Sequence, residues 1–374
     1  MKDYNEISER IIKYRRDLHQ IPELSFDLPE TGAYIRRVLA KLSCGIEDIA
    51  GYGVAAYFDF GRNDTLCFRC DMDALPIREV NELPFISRHE GKMHACGHDS
   101  HMAIMLGFAE LIEELKSQGF SPSHNAVLLF QPAEETIDGA LTICQTDFLE
   151  KYNVSSVFGL HNWPTLPKGQ ISSISGPMMA KSTSVDVSFD GVSAHCGEPW
   201  KGRDAMFAAV KFISEIYDFC DKVDDNCIIR FGRMTSGTVR NAISPRSELM
   251  GTIRTFSEDT WNSIIREMDR ISDEIYKEME VTVRPEIVKY HPAVINSPVL
   301  YERTIPFLDE LGYKELDKPV MIAEDFSFYQ EKVPGVFFFL GTGSGIPLHS
   351  VNYDMDDSVI IQGVKLFEAI LKNL

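Results

Sequence analysis

HACGHDSHMAIMLGFAELIEEL, residues 94–115, decides how the rest of the chain is read. Its opening positions hold His94, Cys96, His98, Asp99 and His101, a density of sulfur, nitrogen and oxygen donors that points to a bound metal. The second part has the apolar spacing of a helix. Asp99 and Ser100 therefore read as its N-terminal residues, with Cys96 and His98 on the loop just before. A loop at a helix N-terminus can aim several ligands at one point.

Four more segments supply what such a site still lacks: RCDMDALP with Asp71 and Asp73, FQPAEE with Glu134 and Glu135, GLHNWP with His161, and PLHSVNYD with His349. Each follows a β-rich apolar run (TLCFRC, AVLLFQ, SSVFGL, VFFFLG), with the acid or imidazole at or soon after its end. In an open α/β sheet the loops at the carboxyl ends of the strands converge on one crevice, so the repetition says more than any single motif.

Working outward, residues 5–20 and 29–42 read as amphipathic helices and 53–60 and 65–70 as strands. The helix after Asp99, strand 126–131, a short helix near 138–146 and strand 156–160 continue the alternation. The pattern predicts an α/β fold, a mainly parallel sheet sandwiched by helices. Near residue 178 the rhythm changes: strand 183–189, helix 203–221, strands 226–232 and 248–255, helix 258–279 and strand 281–288. That is the split βαβ, or ferredoxin-like, order of a small α+β domain. Helices at 297–311, near 324–331 and at 356–372, with strand 336–340, then rejoin the first pattern. Residues 1–178 and 292–374 thus form one discontinuous domain, interrupted by an inserted domain at 179–291.

A chain of 374 residues accommodates two such domains, and its formal charge of −19 argues against nucleic-acid or anionic-membrane partners. No apolar run reaches membrane-spanning length and the N-terminal stretch lacks a signal core, so the expectation is a cytoplasmic protein. Eight scattered cysteines suit a reducing compartment. Cys67 and Cys70 form a CxxC, but inside a strand-like run with no second pair, which favours core over redox chemistry or structural zinc.

Taken singly, His161 or His349 reads as a hydrogen-bonded loop histidine, Cys96 as a small buried hydrophobe, and the Glu134–Glu135 pair as a solvated loop. Five strand-end loops with the same chemistry overturn those readings. Cys96, His98, Glu135, His161 and His349 are more ligands than one tetrahedral ion needs, so two ions sharing a bridging ligand is the economical explanation. Zinc suits the mixed thiolate, imidazole and carboxylate set best, with manganese, cobalt or nickel as alternatives. Neighbouring Glu134 and Glu135 point in different directions, so one as ligand and one as general base is the natural division. Asp71 and Asp73 share a face on extended backbone and are placed to orient a ligand.

Those motifs, with RRDLHQIPELSFDLPET near the start, resemble the amidohydrolase branch of the zinc-dependent aminoacylase and carboxypeptidase metallopeptidase family. That branch includes hippurate hydrolases, N-acyl-amino-acid amidohydrolases and plant auxin-conjugate hydrolases. The resemblance implies Cys96, His98, Glu135, His161 and His349 as metal ligands, Glu134 as the base that activates water, and Asp73 as the residue that orients the site. Relatives outside the branch bridge the ions with an aspartate, where this chain has Cys96, and carry a histidine ligand where it has Asp71. The inserted domain resembles the family's lid and dimerisation domain, which implies a homodimer in which His195, in GVSAHCGEPW, reaches the oxyanion across the dimer. Asn241 and Arg254 are the candidates for holding a substrate carboxylate, against the alternative that Arg254 forms a fold-stabilising ion pair. Glu324 and Asp325, in AEDFSFY, also resemble a family motif. The implied activity is hydrolysis of N-acyl amino acids or related amides. A dipeptidase, a carboxypeptidase or an N-acetyl-diaminopimelate-type deacetylase would share the site. A metal-dependent binding protein is the rival from another class, and it would have no need of Glu134 or His195.

Overall fold

The computed structural model describes residues 4–136, 138–223 and 227–374. Two units are distinguished. The larger comprises Met1–Met178, Ile295–Pro319 and Glu324–Leu374, and the smaller Met179–Val294 with Val320–Ala323. The chain thus leaves the smaller unit at 294 rather than 291, and 320–323 returns to it because Val320 and Ile322 accept the Ala180 N–H.

The larger unit opens with α1 (Asn5–His19) and α2 (Pro29–Leu39), followed by β1 (Gly45–Ile49), β2 (Gly53–Phe58) and β3 (Thr65–Asp71). Next come α3 (His98–Ser117), β4 (Asn125–Gln131), α4 (Gly139–Cys144), α5 (Phe148–Lys151), β5 (Val154–Trp163), β6 (Ile171–Ser173) and β7 (Gly176–Met179). Every residue of β3 and of β4 is buried, Cys67 and Cys70 among them. Apolar runs of this kind belong to strands covered on both faces.

The smaller unit holds β8 (Lys181–Asp190), α6 (Ala205–Cys220), β9 (Ile228–Ser236), β10 (Arg246–Thr255), α7 (Glu258–Met279) and β11 (Thr282–His291). Residue 226, where the expected strand begins, lies outside the described residues, as do 1–3 at the head of the first domain's span. Asp204 caps α6 by accepting the Met206 N–H, and Ser257 caps α7 by accepting the Thr260 N–H, each typically worth about 1 kcal/mol. The strands pair antiparallel in the order β11-β8-β10-β9, the ferredoxin-like arrangement. Val185, Val187 and Phe189 face the helices and pack with Phe212, Ile264 and Ile271. The alternate residues Ser182, Ser184, Asp186, Ser188 and Asp190 leave the other face polar.

After β12 (Val294–Asn296) the chain forms α8 (Pro298–Thr304), β13 (Tyr313–Glu315), α9 (Ser327–Gln330), β14 (Gly335–Gly341) and α10 (Ile360–Asn373). The single helix expected over 297–311 breaks into α8 and two 3-10 turns, because Pro306 has no N–H to continue the ladder. The large sheet runs β1-β2-β4-β3-β5-β14-β6-β13, with a parallel centre β4-β3-β5-β14. Phe68 sits in its core, its ring 4.9 Å from Phe108 and 5.3 Å from Phe367. The parallel centre sets the carboxyl ends of β3, β4, β5 and β14 side by side, which is where the donor residues lie.

Candidate metal centre

The site begins with a glycine. Gly97 has φ of 85°, and a Cβ on it would lie 2.6 Å from Asn162 Nδ2, so no other residue fits the turn. That tight turn starts the helix earlier than the spacing predicts: His98 is the first residue of α3, not the last of the loop. Asp99 does not cap the helix. It accepts from His19 Nδ1 at 2.8 Å and from Arg15 Nε at 3.2 Å, all three side chains being buried.

Around this helix start the candidate ligand atoms converge. Cys96 Sγ lies 3.3 Å from His161 Nε2 and 3.3 Å from His349 Nε2. Glu135 Oε1 is 3.5 Å from His349 Nε2 and 3.9 Å from His98 Nε2. His98 Nε2 and Glu135 Oε1 are buried with no hydrogen-bond partner, an expensive state for polar atoms unless something else binds them. His98 donates through Nδ1 to Asp73 O, and His161 through Nδ1 to Asn162 O, both at 2.8 Å. Each ring therefore turns its Nε2 to the centre, the nitrogen left for a metal once its proton is displaced. His161 lies within β5, not after it, since pairing with β14 continues to Trp163. His349 reaches the cluster from a left-handed residue, φ 63°, whose N–H is held by Ala95 O at 2.8 Å.

Beneath the ligands is a layer that orients them. The Asp73 carboxylate accepts the N–H groups of Glu134 at 3.0 Å and Glu135 at 3.2 Å, so one residue positions His98 and both glutamates. Left-handed Ala133, φ 59°, aims that glutamate pair. His101 donates to Asp71 Oδ1 at 2.6 Å and accepts the Asn162 N–H at 3.0 Å, which uses both nitrogens. Asp71 and Asp73 both lie against His98, Asp71 Oδ2 3.7 Å from its Nε2 and Asp73 Oδ1 3.7 Å from its Nδ1. Asp71 also receives His101 and Arg69. Arg69 is wholly buried; it also donates to Gln131 at 2.8 Å and Asp325 at 2.6 Å and forms an ion pair with Glu324 at 2.9 Å. Sequence reasoning missed Arg69, Gln131, Asn162, Arg15 and His19, although all but Gln131 and Asn162 are charged or titratable residues in quoted motifs. His94 packs near His19, its ring fully buried and neither nitrogen bonded.

The electrostatics suit cation binding. Burial opposes charge on His98, but Asp71, Asp73 and Glu135 outweigh it and raise its pKa to about 10. Burial pushes Cys96 well above a free thiol, with Glu135 and Glu134 adding to it. Burial, Glu324 and Glu135 likewise raise Glu134 well above an ordinary carboxyl. So many acids in one buried place are relieved by divalent cations, which displace the protons of thiol and imidazole. A thiolate, three imidazoles and a carboxylate fit two such ions. Cys96, His98 and Glu135 offer donor atoms within 4.8 Å of one another, as do Asp71, His98, His101 and His161.

In the smaller unit, His195 accepts the Gly197 N–H through Nδ1 at 3.0 Å, leaving Nε2 as a donor. It is exposed and bridges to Ala242, while Cys196 N–H donates to Asn241 O at 3.0 Å, so His195 and Asn241 sit together. Arg254 forms no fold-stabilising ion pair: it donates to Thr252 Oγ1 and Ile253 O, with no acidic partner among the described residues.

A family model described as peptidase family M20/M25/M40 matches residues 67–373. An N-acetyldiaminopimelate deacetylase of Streptococcus uberis is 34% identical over 97% of this chain and 98% of its own. A Streptococcus pneumoniae protein of the same name is 33% identical over the same shares. The structure of a dinuclear metal binding peptidase of that family from Bacillus subtilis superposes with a TM-score of 0.88, at 31% identity over 99% of both chains. A putative aminohydrolase from methicillin resistant Staphylococcus aureus gives 0.90, at 28% identity over 98% of this chain and 97% of that one.

Proposed function

The chain belongs to peptidase family M20/M25/M40 and is a hydrolase of amide C–N bonds, and from that premise we propose that it removes the acyl group from the nitrogen of an amino acid with a free carboxylate. The observation that carries the reading is the convergence of Cys96, His98, Glu135, His161 and His349 beside a base, Glu134, that is not needed for binding alone. Those five residues would hold two divalent ions, zinc being the first choice for this donor set and manganese, cobalt or nickel the alternatives.

When bound, the ions polarise the amide carbonyl and lower the pKa of a water molecule. Glu134 takes a proton from that water as its oxygen attacks the carbonyl carbon, then returns the proton to the amine nitrogen as the C–N bond breaks. A positioned base of this kind contributes about two to four orders of magnitude. Asp73 holds the base in place through the Glu134 N–H. His195, with Nε2 free to donate, stabilises the developing oxyanion, a contribution of about 3 kcal/mol for one such donor. Arg254 grips the substrate carboxylate, a role supported by its having no acidic partner among the described residues, and Asn241 assists.

N-acetyl-diaminopimelate is the first substrate to test, because relatives aligned over 97% of the chain are named for its deacetylation. A homodimer through the smaller unit is part of the reading. Trp200, 72% exposed, and Phe207, 61% exposed, with Met206 and Val210 on the same helix as Phe207, present apolar surface that a second copy would cover. No helix among the described residues is long and apolar enough to cross a membrane.

The test is hydrolysis of an N-acyl amino acid panel by reduced protein, chelated and then reloaded with each metal, alongside Glu134→Gln. Release of free amino acid that needs added metal and vanishes in the variant, with metal still bound, is the expected result. Two ions per chain with no hydrolysis of any amide would leave the binding-protein reading standing instead.

A further inference from the structure

Pairing of β3 with β5 stops at Arg69 and Gly159, short of His161. Beyond that point the backbone N–H and C=O of Asn162 are taken by two histidine side chains: His101 Nε2 accepts the N–H at 3.0 Å, and His161 Nδ1 donates to the C=O at 2.8 Å. The far side of His101 fixes which nitrogen carries its proton. Asp71 Oδ1 lies 2.6 Å from Nδ1, and a carboxylate only accepts, so the proton is on Nδ1 and Nε2 keeps its lone pair for the Asn162 N–H. Arg69 holds Asp71 in turn, donating to its Oδ2 at 3.1 Å. Arg69, Asp71, His101 and Asn162 are all buried, and the His101 and His161 ring centroids are 4.6 Å apart. Asn162 has little freedom of its own, because its Nδ2 donates to Ser100 Oγ at 2.5 Å at the start of α3.

We propose that Asp71 and His101 are positioning residues for one of the two ions: acting through the backbone of Asn162, they hold the His161 imidazole in place and set how tightly the ion on that imidazole binds. The inference rests on the reading above in which His161 is a metal ligand. The bonded route from Asp71 to a ligand runs through His101, since its approach to His98 Nε2, at 3.7 Å, is too long for a hydrogen bond. Asp73 serves other ligands directly. Its C=O accepts from His98 and its carboxylate from the Glu134 and Glu135 N–H groups, and none of these bonds touches Asn162 or His161. His349 is placed by a third route, its N–H bonded to Ala95 O. With the ligands held by separate supports, loss of the His101 support loosens one ion and leaves its neighbour.

The measurement is zinc binding to the reduced, chelated protein, titrated against a chromophoric chelator so that each of the two ions gives its own Kd. In His101→Phe, which keeps a ring in place and removes both hydrogen bonds, one Kd should rise by about 10- to 100-fold, the usual cost of losing such a partner, while the other stays at its wild-type value. His101→Gln, whose amide oxygen can stand where Nε2 accepts the Asn162 N–H, should recover most of the loss. His101→Asn, which reaches only towards Asp71, should not, and Asp71→Asn should give a smaller rise in the same Kd. The denaturation midpoint of the metal-free proteins separates a folding defect, which would lower that midpoint and weaken both ions alike. If His101→Phe does not fold, the contrast between Gln and Asn decides alone. Both Kd values unchanged in Phe and Asn, both raised equally, or Gln no better than Asn overturns the inference and leaves the dinuclear centre standing. A wild type that takes up no zinc overturns the centre as well.

Discussion

Replacing His19 by Gln should remove a pH-dependent part of the protein's stability. His19 is buried, with Nδ1 2.8 Å from Asp99 and Nε2 3.2 Å from Glu79. Burial opposes its charge, but Asp99 and Glu79 outweigh burial and raise the pKa from 6.5 to about 9. A raised folded-state pKa stabilises the protein fully below the unfolded value, and the contribution is lost as pH climbs through the folded one. At 1.36 kcal/mol per pKa unit, the step from 6.5 to about 9 is worth about 3 kcal/mol at pH 6 and close to nothing above pH 10. At about 2.1 cal/mol/K per residue, that corresponds to a Tm difference on the order of 5 °C for a unit of this size. The assay is urea denaturation of metal-loaded wild type and variant at pH 6, 7.5, 9 and 10. The gap between the two should be widest at pH 6 and narrow by about 3 kcal/mol towards pH 10, where only the loss of packing and neutral hydrogen bonding remains. A gap that stays constant across the range would refute the charged-imidazole account of how Asp99 is held.

Gly97→Ala should cost about 1–3 kcal/mol for an L residue at positive φ. It should also lower the metal content per chain, because the added Cβ meets Asn162 Nδ2 at 2.6 Å and Tyr353 Oη at 3.0 Å just beside His98. Denaturation midpoint and elemental analysis read the two effects separately, and a variant with wild-type values in both would remove the steric argument. Arg69→Met leaves Glu324 and Asp325 buried without their cation, a change that typically costs about 3–5 kcal/mol. A loss under 1 kcal/mol in chemical denaturation would mean that the carboxylates find another partner.

The two layers of the site differ in how far they could be read from the amino acids. The layer of candidate ligands was legible because Glu135, His161 and His349 lie at or after apolar strand runs, Cys96 and His98 open an apolar helix, and parallel strands bring their carboxyl ends together, so local pattern and topology carry the same information. Errors there were local. His98 entered the helix because left-handed Gly97 shortens the turn, and His161 entered the strand because β14 pairs past it. The supporting layer rests on pairs far apart in the chain: Arg15 with Asp99, and Arg69 with Glu324 and Asp325 across the entire inserted unit. Spacing within a single element cannot reveal such a partner. It can reveal that one is needed, and α1 did so. Ile7, Ile11, Arg15 and Leu18 are its buried stripe together with His19, so a guanidinium occupies a core position of an amphipathic helix. A buried guanidinium demands an anion, and Asp99, an acid in a motif dense with histidines, had no assigned partner beyond its place in the first turn of the helix. An unexplained charge on an apolar stripe in one motif and an unexplained acid in another are together a reason to pair them.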